Sequence, residues 1–142
     1  MVLNFTKLNK STLDPEQIHV GKPAFRLFSN VSRSLQPLEI GEVGTGIMLF
    51  IPPTLTVKVF PSEHLIRDGV VCPPKVMVEG DEIKLSLLNI SIPDFLYLKS
   101  GPASAASALF GSHSSVSIEK GDEIATILIE KSLENVSFKE II

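Results

Sequence analysis

The residues that could do chemistry are few and scattered. One cysteine, Cys72, and three histidines, His19, His64 and His113, are the only thiol and imidazole ligands in the chain. They are too dispersed for a structural zinc site, which needs such ligands in close pairs. A lone cysteine forms no internal disulfide, and Cys72, between Val71 and Pro73, reads as a small buried apolar residue. Ser62-Glu63-His64 sets a hydroxyl, an acid and an imidazole side by side. A nucleophilic triad is assembled from distant positions, so this tripeptide reads as a helix start, with Ser62 as N-cap and Leu65 reaching the core. Gly41, Gly44 and Gly46 resemble a phosphate loop only in composition, because no Gly-Lys-Ser/Thr triplet and no strand-to-helix junction accompany them. No serine sits in a Gly-x-Ser-x-Gly elbow. The acids Asp81, Glu82, Asp122 and Glu123 fall in turns without metal-ligand spacing, so neither a metal nor a cofactor is expected.

The elements that would position these residues read as strands. Leu55, Val57 and Val59 alternate with Thr56, Lys58 and Phe60, the period of a half-buried strand. Residues 46–51, 76–78, 83–88, 95–98, 115–118 and 124–129 share that composition. Turn signals separate them at short intervals: Pro52-Pro53, Asp68-Gly69, Pro73-Pro74, Glu79-Gly80-Asp81, Pro93-Asp94 and Lys120-Gly121-Asp122. The pattern predicts an all-β domain over 1–142, a barrel or jelly-roll of short antiparallel strands with at most one short helix, at 62–67. Residues 100–115 break the rhythm with small, uncharged side chains and read as an inserted surface loop, with Leu109-Phe110 as an apolar tip.

Composition sets outer bounds. The chain has 142 residues, 44% of them hydrophobic and 20% charged, enough apolar content for a folded core. A net charge of −3 argues against coating nucleic acid. The longest apolar runs are too short for a membrane helix, and the first residues lack the basic and apolar regions of a secretory signal. These features predict an intracellular protein that binds no nucleic acid and inserts in no membrane.

The order of elements carries a more specific signal. An opening Leu3-Asn4-Phe5-Thr6-Lys7-Leu8 precedes Gln36-Pro37-Leu38-Glu39 and Val43-Gly44-Thr45-Gly46-Ile47. Val57-Lys58-Val59-Phe60-Pro61 and Leu87-Leu88-Asn89 follow, then Ile118-Glu119-Lys120-Gly121-Asp122-Glu123-Ile124-Ala125. Together these resemble the trimeric dUTPase family, all-β enzymes that hydrolyse dUTP to dUMP and pyrophosphate. The last segment is the most specific, since it is similar to the family's Lys-Gly-Asp-Arg-Ile-Ala-Gln signature residue by residue. The resemblance spans roughly residues 1–140 and implies the family's β fold and a homo-oligomer, a trimer with shared sites.

At the positions the family uses for chemistry, the residue types differ. Its first motif, Ala-Gly-x-Asp-Leu, falls on Pro23-Ala24-Phe25-Arg26-Leu27, so Arg26 stands where the resemblance implies an acid. Its second, Pro-Arg-Ser-Gly, falls on Pro61-Ser62-Glu63-His64, with Ser62 for the phosphate-binding Arg and Glu63 for the Ser. Its third falls near residues 74–82, with Met77 at the general-base Asp and Gly80 at the sugar-stacking Tyr. A thioether takes no proton from water at neutral pH. The fourth keeps Gly121, Asp122, Ile124 and Ala125 but has Glu123 for Arg and Thr126 for Gln, and the glycine-rich fifth has no counterpart.

These departures predict a dUTPase-like fold without dUTPase activity: a non-enzymatic, viral interaction module acting on host proteins in the cytoplasm or nucleus. It is similar in this to the dUTPase-derived early-region proteins of adenoviruses, which residues 94–98 also resemble. Candidate partner-binding residues are Leu109 and Phe110, and Glu140, Ile141 and Ile142 as a PDZ-type C-terminal ligand. Two alternatives stand beside this reading. One is a divergent nucleotide-binding or dUTP-hydrolysing protein that uses other groups, for example Glu79 with Lys75 and Arg67. The other is a structural or assembly protein built on the same barrel.

Overall fold

The computed structural model describes residues 3–91, 115–132 and 137–141. They form eleven strands and one short helix. β1 (Asn4–Lys7), β5 (Ile40–Phe50), β9 (Glu82–Asn89) and β7 (Val70–Val71) build one sheet in the order β1-β5-β9-β7. β2 (Glu16–Gln17), β3 (Ala24–Phe28), β11 (Glu123–Lys131), β6 (Leu55–Pro61) and β8 (Lys75–Val76) build a second, in the order β2-β3-β11-β6-β8. β10 (Val116–Ile118) and β4 (Arg33–Leu35) make a separate pair. Every pairing is antiparallel. The all-β expectation is met, in three sheets.

Alternation decides which side faces inward. Leu55, Val57 and Val59 of β6 are buried, and so are Ile83, Leu85 and Leu87 of β9; in β11 Ile127 is buried with the adjacent Ile124 and Ala125, where the register with β3 shifts. Burying each large aliphatic side chain contributes about 1.5–3 kcal/mol, which fixes the register, since a one-residue slip would turn each set outward. Leu27, Leu35, Val43, Ile47 and Ile118 complete one continuous core. Asn89 closes β9 from inside this core: its Nδ2 donates to Leu35 O at 2.9 Å and its Oδ1 accepts the Ser91 N–H at 3.0 Å.

The glycine triplet that looks like a phosphate loop lies entirely within β5. Pairing of β5 with β9 shifts register between Gly44 and Met48. At the shift Gly46 takes φ +71°, and a Cβ there would lie 2.6 Å from Thr12 Oγ1. Gly44 is equally confined, with Glu82 Oε1 2.7 Å from where its Cβ would stand. Thr45 between them sends its hydroxyl to Ile83 O at 2.8 Å. The glycines let one long strand bend and serve two neighbours, β9 at one end and β1 at the other.

Three local expectations change. The strand read at 76–78 is shorter, Lys75–Val76: Met77 still donates its N–H to Val57 O at 2.9 Å in the same register, and the pairing with β6 ends there. Helix α1 (Glu63–Arg67) forms as expected, but Ser62 makes no side-chain cap. Its Oγ is buried and unpartnered, while its N–H is spent on Ile124 O at 2.9 Å. Cys72 is only half-buried, its thiol donating to Pro73 O at 3.4 Å. The strand expected at 95–98 and, but for Ser115, the loop expected at 100–115, with Leu109 and Phe110, lie outside the described residues, as does Ile142.

Candidate functional site

The matched motif positions gather in two places. The first is a run of neighbouring strands, β3, β11 and β6. Thr126 pairs with Arg26 on one side and Phe60 on the other, and Ala125 pairs with Pro61. This brings the segments around Arg26, Ser62 and Glu123 together, as the resemblance implies. Their charges, however, satisfy one another. Arg26 Nη1 lies 3.1 Å from Glu16 Oε1, and its Nε lies 3.7 Å from Glu123 Oε1. Where the resemblance implies an acid at 26 and a base at 123, the chain has the pair with its polarity reversed. Glu63 is tied off by Arg67 one helical turn on, at 2.7 Å, and His64 is half-buried on the same turn. Asp122 is a turn residue: its Oδ2 accepts the Glu119 N–H at 2.9 Å and its carbonyl accepts the Ser29 N–H at 2.7 Å. Glu123, expected in a turn, begins β11 instead. Phe25 faces elsewhere, into an apolar cavity of about 410 Å³ with Leu3, Phe5, Leu49 and Ile127.

The second place is the connection from β8 to β9, which holds the positions matched to the family's third motif. Gly80 turns the chain there with φ +90°. Met77, 9% exposed, lines a polar cavity of about 400 Å³ with Glu42, Lys75, Asp81, Glu82 and Lys84. Lys84 Nζ bridges Glu42 Oε1 at 3.3 Å and Glu82 Oε2 at 3.6 Å, and both carboxylates hold its pKa above the ordinary lysine value. Glu82 is the anchor: its other oxygen accepts the Gly46 N–H at 3.0 Å. Of the groups singled out for a nucleotide site, only Lys75 reaches this cavity. Glu79 is not in its lining, and Arg67 is paired on α1.

Glu42 and Lys84 escape a reading of the sequence because the β5–β9 register brings them together, and Asp81 was read only as a turn acid. Glu82 and Lys84 share a strand face by their spacing, and that was the one legible hint. Nearby, burial pushes the Cys72 thiol pKa up, partly offset by a hydrogen bond from the Ser86 backbone and by the charge of Lys75. No group of three or more potential metal ligands occurs among the described residues. Glu140 and Ile141 of the tail are exposed.

Comparison with known proteins places this geometry. No family model matches the chain. It is 28% identical over 147 residues to the deoxyuridine 5'-triphosphate nucleotidohydrolase of Clostridium kluyveri, across the whole of this chain and 87% of that one. It is 30% identical over 103 residues to the enzyme of the same name from Clostridium acetobutylicum, across 69% of this chain and 71% of that one. Among solved structures, the dUTPase from phage phi11 of Staphylococcus aureus superposes with a TM-score of 0.78 at 17% identity, over 99% of this chain and 96% of that one. The dUTPase of Staphylococcus bacteriophage 80alpha, with bound dUPNHPP, gives 0.76 at 18% identity, over 99% and 88%. These likenesses establish the fold.

The two clostridial relatives overturn the expectation of a non-enzymatic interaction module. That expectation weighed each motif position by the residue standing at it. Met77 removes an acid from one register position, but the cavity it lines keeps Glu42, Asp81 and Glu82. Catalytic groups are defined by where they converge, so a change at one position does not strip the site of carboxylates. The chain belongs to the deoxyuridine 5'-triphosphate nucleotidohydrolase (dUTPase) family.

Proposed function

We propose that this chain is a divergent dUTPase, hydrolysing dUTP or a close deoxynucleoside triphosphate to the monophosphate and pyrophosphate. The supporting observation is the polar cavity on the β8–β9 connection, the segment that the resemblance matches to the family's nucleoside-binding motif. Its volume of about 400 Å³ suits a small ligand. Met77 gives it an apolar floor for a base or sugar, and cations and carboxylates stand around that floor. The kinship supports a homo-oligomer as the working form, a trimer as in the family.

The test is direct. Purified protein with dUTP and magnesium should release pyrophosphate at an enzyme's pace, on the order of 1 per second or faster. dCTP and dTTP supplied in parallel define the base preference. Release no faster than a boiled control would refute the proposal.

A further inference from the structure

The polar cavity is lined by five charged side chains, and three of them are already committed. Lys84 is shared between Glu42 and Glu82. Glu82 gives its second oxygen to the Gly46 N–H and packs against Gly44. With one oxygen held by the Gly46 N–H and the other facing Lys84, Glu82 is poorly placed to take the proton of a water. Lys84 meets two carboxylates and has no net charge to offer an anion.

Lys75 and Asp81 differ. Neither makes an ion pair among the described residues. They also come from different walls. Lys75 lies on β8, the edge strand of the five-stranded sheet, opposite Val59 of β6. Asp81 immediately precedes β9 of the other sheet, its N–H closing the turn onto Val78 O. The one uncommitted cation and the one uncommitted carboxylate of the lining therefore flank the buried Met77 between two sheets.

We propose that Lys75 binds a phosphate group of the substrate and that Asp81 accepts the proton of the attacking water, an assignment that rests on the hydrolytic reading above. The step balances. The water oxygen bonds to one phosphorus of the α–β bridge while its proton passes to the Asp81 carboxylate. The bridging P–O bond breaks, and its electron pair leaves on the departing phosphate oxygen. Lys75 offsets the charge gathering on the phosphate oxygens, the largest kind of contribution open to a lone cation in such a site. The products are a monophosphate, pyrophosphate and a proton.

The experiment uses the full chain with dUTP for turnover and the non-hydrolysable imido analogue of dUTP for binding. Lys75→Met should weaken analogue binding about tenfold, the loss of one charged phosphate contact. Asp81→Asn should leave analogue binding within about twofold and lower kcat by about a hundredfold or more, with the acidic limb of the pH–rate profile removed. Glu79→Gln, outside the cavity lining, should change neither. Both target side chains are exposed, and thermal unfolding of each variant checks the fold, with Asp81→Ser as a second carboxylate-free variant. Analogue binding that ignores Lys75, or turnover that ignores Asp81, overturns the assignment. Binding that depends on Lys75 without any wild-type turnover refutes hydrolysis and Asp81 as base, yet keeps Lys75 as the anchor. No analogue binding at all overturns the anchor as well.

Discussion

The two clusters of motif positions handle charge in opposite ways. On β3 and β11, Arg26 is held between Glu16 and Glu123, and Asp122 is absorbed in its own turn. Around the β8–β9 connection, Glu42, Glu82 and Lys84 form a closed set, while Lys75 and Asp81 stand outside it. A charge that has found a partner within its own sheet contributes to that sheet. A charge without one, beside a cavity, stays available to whatever enters the cavity. The difference teaches where to look for function in a family member whose motif residues have changed. Residue type at the aligned position is a weaker guide than whether the local charges are already paired.

The comparison breaks most visibly if the closed set is not what holds the cavity. Gly46→Ala puts a Cβ within 2.6 Å of Thr12 Oγ1 at a backbone angle of +71°. Strain and overpacking together should cost about 2–4 kcal/mol, read as a lowered midpoint in urea. A Gly46→Ala protein as stable as wild type would show that the β5 bend is not needed. Glu82→Ala comes next. It strips the Gly46 N–H of its acceptor and Lys84 of one partner, on a side chain only 16% exposed. The expected loss is about 1–3 kcal/mol, with the urea m-value unchanged. Stability untouched by this change would return Glu82 to the pool of free carboxylates.

How much of this was legible depends on what fixes each feature. β6 and β9 announce themselves through alternation, because each buries every second residue, while β11 buries the adjacent Ile124 and Ala125 at its register shift and is legible by its apolar composition. Helix α1 was legible too, bounded by Pro61 and Gly69. The polar cavity was not. It rests on the β5–β9 register, which sets Glu42 beside Lys84, and on Glu82 accepting the N–H of Gly46, a residue far from it in sequence. Periodicity sees neighbours in sequence and says nothing of which acid a distant glycine will meet. The segments that carry Arg26 and Glu123 lie side by side on β3 and β11, and that pairing was hidden in the sequence. Each looked like a loss alone, and only the β3–β11 register shows that each answers the other.

That pairing gives a smaller effect with a sharp signature. Both side chains are about one-third exposed, so solvent discounts the pair heavily. Glu123→Arg should set two guanidinium groups together and lower stability by less than about 1 kcal/mol. Arg26→Glu added to it should recover part of that loss, leaving Glu16 facing a new acid as the residual penalty. Additive losses in the double variant would mean that the two residues do not communicate, and the self-satisfied cluster would dissolve as an idea.

The smallest effect reads the other cluster through Cys72. Its thiol pKa is raised by burial, and the field of Lys75 opposes that rise. A raised value favours the neutral thiol in the folded chain. Below the ordinary thiol range the two states carry the same proton, and the stabilisation is fully present. As pH rises through that range, the unfolded chain sheds its proton first, so stability falls until the folded thiol also ionises. Cys72→Ala should flatten this alkaline slope. The same thiol should react with iodoacetamide at pH 8.5 more slowly than free cysteine, because the thiolate is the nucleophile. Lys75→Met should slow it further by removing the opposing field. A bound phosphate that neutralises Lys75 should act in the same direction, so protection of Cys72 by the imido analogue in wild type, and its absence in Lys75→Met, would tie ligand to the uncommitted cation. Labelling indifferent to both would mean that Lys75 carries no influence across the cavity wall, and the contrast between paired and unpaired charge would lose its physical basis there.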